Sequence, residues 1–355
     1  MSARAISLLP EPVHQLDLGD LAALVAASFP GPPPAIEPMS GGASTRRYFR
    51  VRLAGESRRT AVAMFVPDGA KPEEVAKGPA ASRWPFLEVR DLLASRGVDV
   101  PALYGEDTHR GWLLLEDLGD DTLAAFLEAH PDQREALYVR AVTDLARAQR
   151  ALEPLPDGCV VARRAFDEEL LAWEVHHFRE WALEARGVTL SADDAALFDG
   201  IAERLAHRIA GWPRAFVHRD YQSRNLMVRP DGRLCWLDFQ DALSGPAVYD
   251  LVALLNDSYQ VFDRPFVEAR LDDFARHRGL DAADRAALGR QFDLVTVQRK
   301  LKDAGRFVFI DRVKNNASFL KFVEPTITKV RSSLARLADD EDMRTLAALL
   351  DRALA

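Results

Sequence analysis

The run His218-Arg219-Asp220-Tyr221-Gln222-Ser223-Arg224-Asn225 is followed by Leu226-Met227-Val228, a turn at Asp231-Gly232, and then Trp236-Leu237-Asp238-Phe239. Two carboxylates and an amide thus stand around what reads as a short hairpin, and that set suits phosphoryl transfer. In such a site a loop aspartate accepts the proton of the attacking hydroxyl. An asparagine five residues later ligates magnesium, and a second aspartate across a hairpin bridges metal and phosphates. Asp220, Asn225 and Asp238 occupy those three places. Their hard oxygen donors suit Mg²⁺, which keeps part of its water shell and completes its coordination with phosphate oxygens. A lone aspartate at a turn is ordinary turn chemistry. Loop, spacing, hairpin and second aspartate occurring together are not explained that way.

The elements that must position these residues follow from periodicity. Leu18, Leu21, Val25 and Phe29 recur at helical spacing, and the helix has to stop before the proline run 30–34. Residues 48–53 and 60–66 suit strands joined by a turn at 54–57. Residues 86–96 suit a helix ending at Gly97, and Trp112–Leu115 a short apolar strand running into Glu116-Asp117-Leu118-Gly119. A small mixed N-terminal lobe, residues 1–115, is therefore expected, with a hinge at 116–119 and a mainly helical catalytic and acceptor-binding lobe at 120–355. Leu197, Ile201, Leu205 and Ile209 typify the helical texture of the second lobe. The island Phe216–Phe239 interrupts it with short strands. The fold class is α+β, two-lobed.

Several stretches resemble the aminoglycoside phosphotransferase and choline kinase superfamily, within the protein-kinase-like fold. Within it they are most similar to bacterial anomeric sugar kinases acting on N-acetylmuramate and N-acetylglucosamine. The match is carried by residues 40–50 (SGGASTRRYFR), 114–120 (LLEDLGD), 218–225 and 236–241, and extended by Gly245-Pro246, Tyr249-Asp250-Leu251 and residues 298–302 (QRKLK). The resemblance implies ATP and Mg²⁺ as cofactors, a small-molecule sugar as acceptor, and transfer to the C1 hydroxyl in cell-wall sugar recycling.

The glycine-bearing loop at Gly41, Gly42, Ser44 and Thr45 precedes the first hairpin. There backbone N–H groups can approach phosphates while Arg46 and Arg47 add charge; an ordinary turn is the competing reading. Glu116 and Leu118 would present hinge backbone groups to the adenine edge. One departure stands out: protein kinases carry a lysine on the third strand, but residues 61–66 read AVAMFV, with Met64 about where that lysine belongs. Glu88 then lacks its usual partner. Arg46 or Arg47 is the expected replacement, since a guanidinium can take phosphate oxygens as a bidentate fork.

Eleven residues separate Asp238 from Asp250, too few for the extended activation segment on which a protein substrate docks, so a small acceptor is expected. Asp250 should brace the catalytic loop. Gln222, Arg224, Gln240 and Asp241 flank the proposed base and metal ligands; binding sugar hydroxyls and holding the loop are equally open to them. Trp173, Phe178 and Trp181 read as core packing ahead of a sugar-stacking wall, and Lys300, Lys302 and Arg306 as a solvated helix face ahead of an anion site. Two alternatives keep part of the pattern. One is an aminoglycoside, choline or other amino-alcohol acceptor. The other is a nucleotide-binding module without turnover, against which the intact Asp220, Asn225 and Asp238 set stands.

Bulk properties narrow the classes. The 355 residues exceed what one core usually organises, and 48% apolar with 28% charged residues is ordinary globular composition. The net charge of −8 and the lack of a basic stripe argue against nucleic acid as a partner. Cys159 and Cys235 match no metal-ligand spacing and suit a reducing cytoplasm. No run of about 18 apolar residues indicates a membrane span.

Overall fold

The computed structural model describes residues 14–39, 45–53, 59–67 and 83–354. The expected turn at 54–57 and the loop residues Gly41, Gly42 and Ser44 lie outside that set. The chain divides into two compact units, one of residues 1–75 and 100–120, the other of 76–99 and 121–355. Residues 83–99, placed in the N-terminal lobe from sequence, thus belong with the second unit.

In the first unit, α1 (Leu18–Ser28) starts where the Asp17 carboxylate accepts the Gly19 N–H at 2.7 Å and stops two residues before Pro30, with Phe29 as its cap. Five antiparallel strands follow: β1 (Ala35–Pro38), β2 (Arg47–Arg52), β3 (Thr60–Phe65), β4 (Leu103–Asp107) and β5 (Trp112–Glu116), in the spatial order β1-β2-β3-β5-β4. The period of two decides the core. Phe49 and Val51, Ala61, Ala63 and Phe65, and Trp112 and Leu114 all turn to one face, where they bury against Leu21 and Val25 of α1. Met64 lies on the opposite face, buried, its backbone paired with Tyr48 and Leu113.

The second unit is mostly helical: α2 (Pro85–Ser95), α3 (Leu123–Ala129), α4 (Arg134–Ala151), α5 (Val160–Arg163), α6 (Glu168–His177), α7 (Ala192–Ala210), α8 (Tyr249–Leu255), α9 (Arg264–Arg278), α10 (Ala282–Lys314), α11 (Val323–Arg336) and α12 (Glu341–Ala353). In α7 the buried stripe is Phe198, Ile201, Ala202, Leu205 and Ile209, while Leu197 is exposed. Each i→i+4 step overshoots a turn by about 40°, so the first residue of the expected row falls off the edge of the face. Among the described residues no helix is long and apolar enough to cross a membrane.

Two small sheets interrupt the helices. β7 (Leu226–Val228) and β8 (Leu234–Trp236) form the expected hairpin, with Gly232 at φ 78° in its turn. β6 (Arg214–Val217) pairs instead with β9 (Leu243–Pro246). The sequence Leu-Ser-Gly-Pro hides β9 because it reads as a turn. Gly245 is required there: a Cβ would meet the Phe166 ring at 2.8 Å.

Candidate active site

The loop between β6 and β7 carries Asp220 and Asn225, and the segment after β8 carries Asp238. Backbone pairing brings the two together, since the Leu237 N–H donates to the Asn225 carbonyl at 2.8 Å. Within the loop the Asn225 amide Nδ2 donates to the Asp220 carbonyl at 2.9 Å, which turns Oδ1 of Asn225 the other way. The Gln222 N–H donates to the same carbonyl. Two residues here hold left-handed backbone angles, Arg219 at φ 80° and Asp238 at φ 59°. Such strain on non-glycine residues persists only where surroundings over-determine it.

Those surroundings begin with α8. At its first turn Asp250, fully buried, accepts the N–H of His218 at 2.7 Å and of Arg219 at 2.9 Å. Just past its other end Asp257, also buried, accepts both the N–H of Ser223 at 3.0 Å and its hydroxyl at 2.5 Å. Lys329 of α11 in turn donates to the carbonyls of Asn256, Asp257 and Gln260, the last at 2.8 Å, so an ammonium closes the turn that follows α8. One short helix therefore grips the loop at both ends. Tyr221 adds a third hold, its hydroxyl donating to the Ala141 carbonyl at 2.9 Å. The His218 ring packs edge-on against Tyr221 and Trp236, and burial pushes its pKa down to about 4, so it is a neutral packing group at pH 7.

Asp250 gives a pH prediction. Burial pushes its carboxyl up to about 7, while the two amides pull toward the ionised form that can accept both. In Asp250→Asn one amide N–H faces an NH₂, which costs about 1–3 kcal/mol and loosens the loop; kcat is expected to fall about 10²-fold. In a kcat profile from pH 5.5 to 8.5 the native chain loses activity as pH falls through about 7 and Asp250 protonates. The variant should lack that limb. Equal acid limbs in the two proteins would remove Asp250 as its source.

Asp220 is oriented from α10. Arg299, almost wholly buried, donates to the Arg219 carbonyl at 2.7 Å and reaches the Asp220 carboxylate at 3.3 Å, its guanidinium 4.8 Å from the Tyr249 ring centroid. Beneath it Glu174 of α6 accepts from Arg219 at 3.2 Å, Gln298 at 2.9 Å and the Tyr249 hydroxyl at 3.2 Å. Lys302 lies 3.8 Å from the same carboxylate. Lys300 pairs with Asp303 at 2.8 Å. Burial alone would raise the Asp303 carboxyl, but Lys300, Arg299 and Lys302 hold it well below the usual range.

This network corrects one expectation: residues 298–302 are buried, so Lys300 and Lys302 form no solvated face. Arg306 lies over the Phe309 ring. Sequence reasoning assigned no role to Arg299, Glu174, Asp257 or Lys329. For Arg299 a signal existed, because Phe292, Leu294, Val295, Val297 and Leu301 surround α10 with apolar residues on every side. Cations in such a helix must find partners.

Gln240 is buried and its side-chain amide donates to Asp238 at 2.8 Å and Asp241 at 3.1 Å, while its backbone carbonyl accepts from Arg164. Gln222 and Asp241 are half-buried and Arg224 is exposed. Phe178 is core, stacked on Phe198, whereas Trp173 is 38% exposed. Glu88, lacking a β3 lysine, accepts the Val160 N–H at 2.5 Å and pairs with Arg163 at 3.5 Å.

In the first unit Thr45 is exposed, Arg46 half-buried, and Arg47 opens β2. Glu116 ends β5 and accepts the Ala102 N–H at 3.2 Å, and Leu118 is half-buried. Asp117 is taken by Arg50 of β2 in a two-pronged pair at 2.9 and 3.2 Å, and Arg50 also reaches Asp120 at 2.9 Å. The acidic Glu-Asp-Leu-Gly-Asp run is thus partly tied to the sheet.

A small antiparallel sheet and a mainly helical remainder that carries the braced 218–225 loop give a protein-kinase-like, two-lobed α+β fold. The sequence profile of the phosphotransferase enzyme family matches residues 35–288, and the chain belongs to that family. It is 33% identical over 325 residues to an N-acetylmuramate/N-acetylglucosamine kinase of Pseudomonas aeruginosa, covering 90% of this chain and 89% of that one. To the enzyme of the same name from Pseudomonas putida it is 35% identical over 279 residues, 76% of this chain and 75% of the other. Among solved structures, the fold is similar to a choline kinase from Cryptosporidium parvum, with a TM-score of 0.63 at 12% identity over 94% of this chain and 100% of that one.

Proposed function

We propose that the chain transfers the γ-phosphate of ATP to the anomeric C1 hydroxyl of N-acetylmuramate and N-acetylglucosamine, in the cytoplasm, as a step of cell-wall sugar recycling. The observation that carries the reading is the braced loop with Asp220 and Asn225, backbone-paired to the segment that carries Asp238, in a chain whose relatives bear those sugars in their names.

Asp220 is the base, held by Arg299 so that its carboxylate meets the acceptor hydroxyl in one orientation. The donor set fits Mg²⁺: Asn225 offers Oδ1 because Nδ2 is spent on the Asp220 carbonyl, and Asp238 is an exposed carboxylate steadied through Oδ1 by Gln240. Bound there, the ion offsets charge on the transferring phosphate. Arg46 and Arg47, with the glycine loop before them, supply phosphate contacts in place of the β3 lysine, and the backbone of Glu116–Leu118 takes the adenine.

The test is ³¹P and ¹H NMR of products formed from Mg-ATP and either sugar, with Asp220→Ala as control. A phosphate coupled to the anomeric proton, absent with the control, is the expected result. If neither sugar yields a phosphate, the acceptor assignment is wrong and amino-alcohols become the next panel.

A further inference from the structure

Arg224 sits between the proposed base and the proposed metal ligands in sequence and is exposed, yet it is not loose. Its guanidinium lies 3.5 Å from the centroid of the Tyr259 ring, and the edge of that ring pair is closed by Phe322, 4.8 Å from Tyr259 in a T-shaped contact. Tyr259 itself is fixed, its N–H donating at 3.0 Å to Asp257, the carboxylate that also holds Ser223. The platform under Arg224 is therefore part of the frame that braces the catalytic loop. Among the described residues no carboxylate pairs with Arg224. The other cations near the loop are committed: Arg299 to Asp220, Lys300 to Asp303, Lys329 to three carbonyls.

Arg224 and Tyr259 line a cavity of about 290 Å³ together with Thr122, Glu128 and Gln260. It lies at the lower end of the roughly 300–1,000 Å³ span of small-molecule pockets, room enough for one sugar ring. Thr122 and Gln260 offer donors and acceptors, and the Glu128 carboxylate acceptors alone, for hydroxyls and an amide; an acid group falls to Arg224, the one cation among the lining residues. The aromatic face that would attract an ammonium is already covered by the protein's own cation, which repels a choline-like or aminoglycoside acceptor. A stacked guanidinium is pre-organised for a planar acid group.

We propose that this cavity is the subsite that reads an acidic acceptor, Arg224 taking the carboxylate of an acidic N-acetylhexosamine while Tyr259 holds the guanidinium in place. The inference rests on the sugar-kinase reading above and adds the residue that separates the two named sugars: N-acetylmuramate carries a carboxylate and N-acetylglucosamine does not.

The experiment is kcat/KM for both sugars at saturating Mg-ATP, in the native chain, Arg224→Met, Arg224→Lys and Tyr259→Leu. A charge-assisted bidentate contact is lost in Arg224→Met. The ratio of kcat/KM for N-acetylmuramate over N-acetylglucosamine should fall about 10- to 100-fold from the native value, mainly through KM for the acidic sugar. Arg224→Lys restores part of the ratio, and Tyr259→Leu lowers it by a smaller factor. A ratio unchanged in Arg224→Met, or an equal loss on both sugars, overturns the subsite and makes Arg224 a loop-holding residue. A native chain inactive on both sugars overturns the sugar-kinase reading itself, and this inference with it.

Discussion

Asp220→Asn is expected to lower kcat about 10²- to 10⁴-fold, the usual span for a lost general base, with little change in KM for either substrate or in melting temperature. The substitution is close to isosteric, so the loop should survive it. Its main holds are backbone groups and other side chains: Asp250 on the His218 and Arg219 amides, Asp257 on Ser223, and Asn225 on the Asp220 carbonyl. The amide can turn its oxygen to Arg299 and keep that contact, 3.3 Å in the native chain. Its NH₂ then meets the acceptor hydroxyl as a donor and cannot take the proton. Loss in kcat without loss of binding marks an interaction made at the transition state. Steady-state kinetics with a thermal melt separates the outcomes: near-native kcat removes Asp220 as the base, and a collapsed melting temperature makes its role structural.

Asp238→Asn should lower kcat/KM about 10³-fold, because charge stabilisation by a bound metal is worth several kcal/mol and each 1.36 kcal/mol is a factor of about ten. The geometry argues against rescue by rotation. Gln240 donates an N–H to Oδ1 of Asp238 at 2.8 Å, so an asparagine there has to keep its oxygen toward Gln240. Its NH₂ then occupies the remaining ligand position, where a hard cation accepts only oxygen. The left-handed backbone at residue 238 is tolerated by asparagine as well as by aspartate, so the fold should hold. The measurement is initial rate against Mg²⁺ concentration at fixed ATP: the variant should need far more Mg²⁺ and still fall short of the native maximum. Native turnover at native Mg²⁺ would exclude Asp238 as a ligand.

Both predictions concern residues found by spacing alone, and the reason is local. Base and first ligand lie five residues apart on one loop, and the second ligand lies one hairpin away, where the Asp231-Gly232 turn fixes the return. The same locality made α1, the β2–β3 pair and the β7–β8 hairpin legible, because a period of two or 3.6 and a Gly or Pro stop are properties of short windows. β9 was hidden by its turn-like composition, while the row Leu197, Ile201, Leu205 and Ile209 put three of its four residues in the buried stripe of α7 and missed only at Leu197.

What the sequence determined by itself is the chemistry on offer: an α+β kinase-like chain, an Asp-Asn-Asp set at phosphoryl-transfer spacing, and a third strand without its lysine. What only the tertiary structure decided is how that chemistry is held. Asp250 and Asp257 reach the loop from more than thirty residues away, Glu174 from forty-five and Arg299 from seventy-nine. Lys300 and Lys302 became buried counter-ions, and Arg224 became the exposed cation laid on an aromatic ring. A charged side chain carries no mark of its partner in its own window. Its role is set by the desolvation it must offset once the helices around it close, and that requirement exists only in the folded chain.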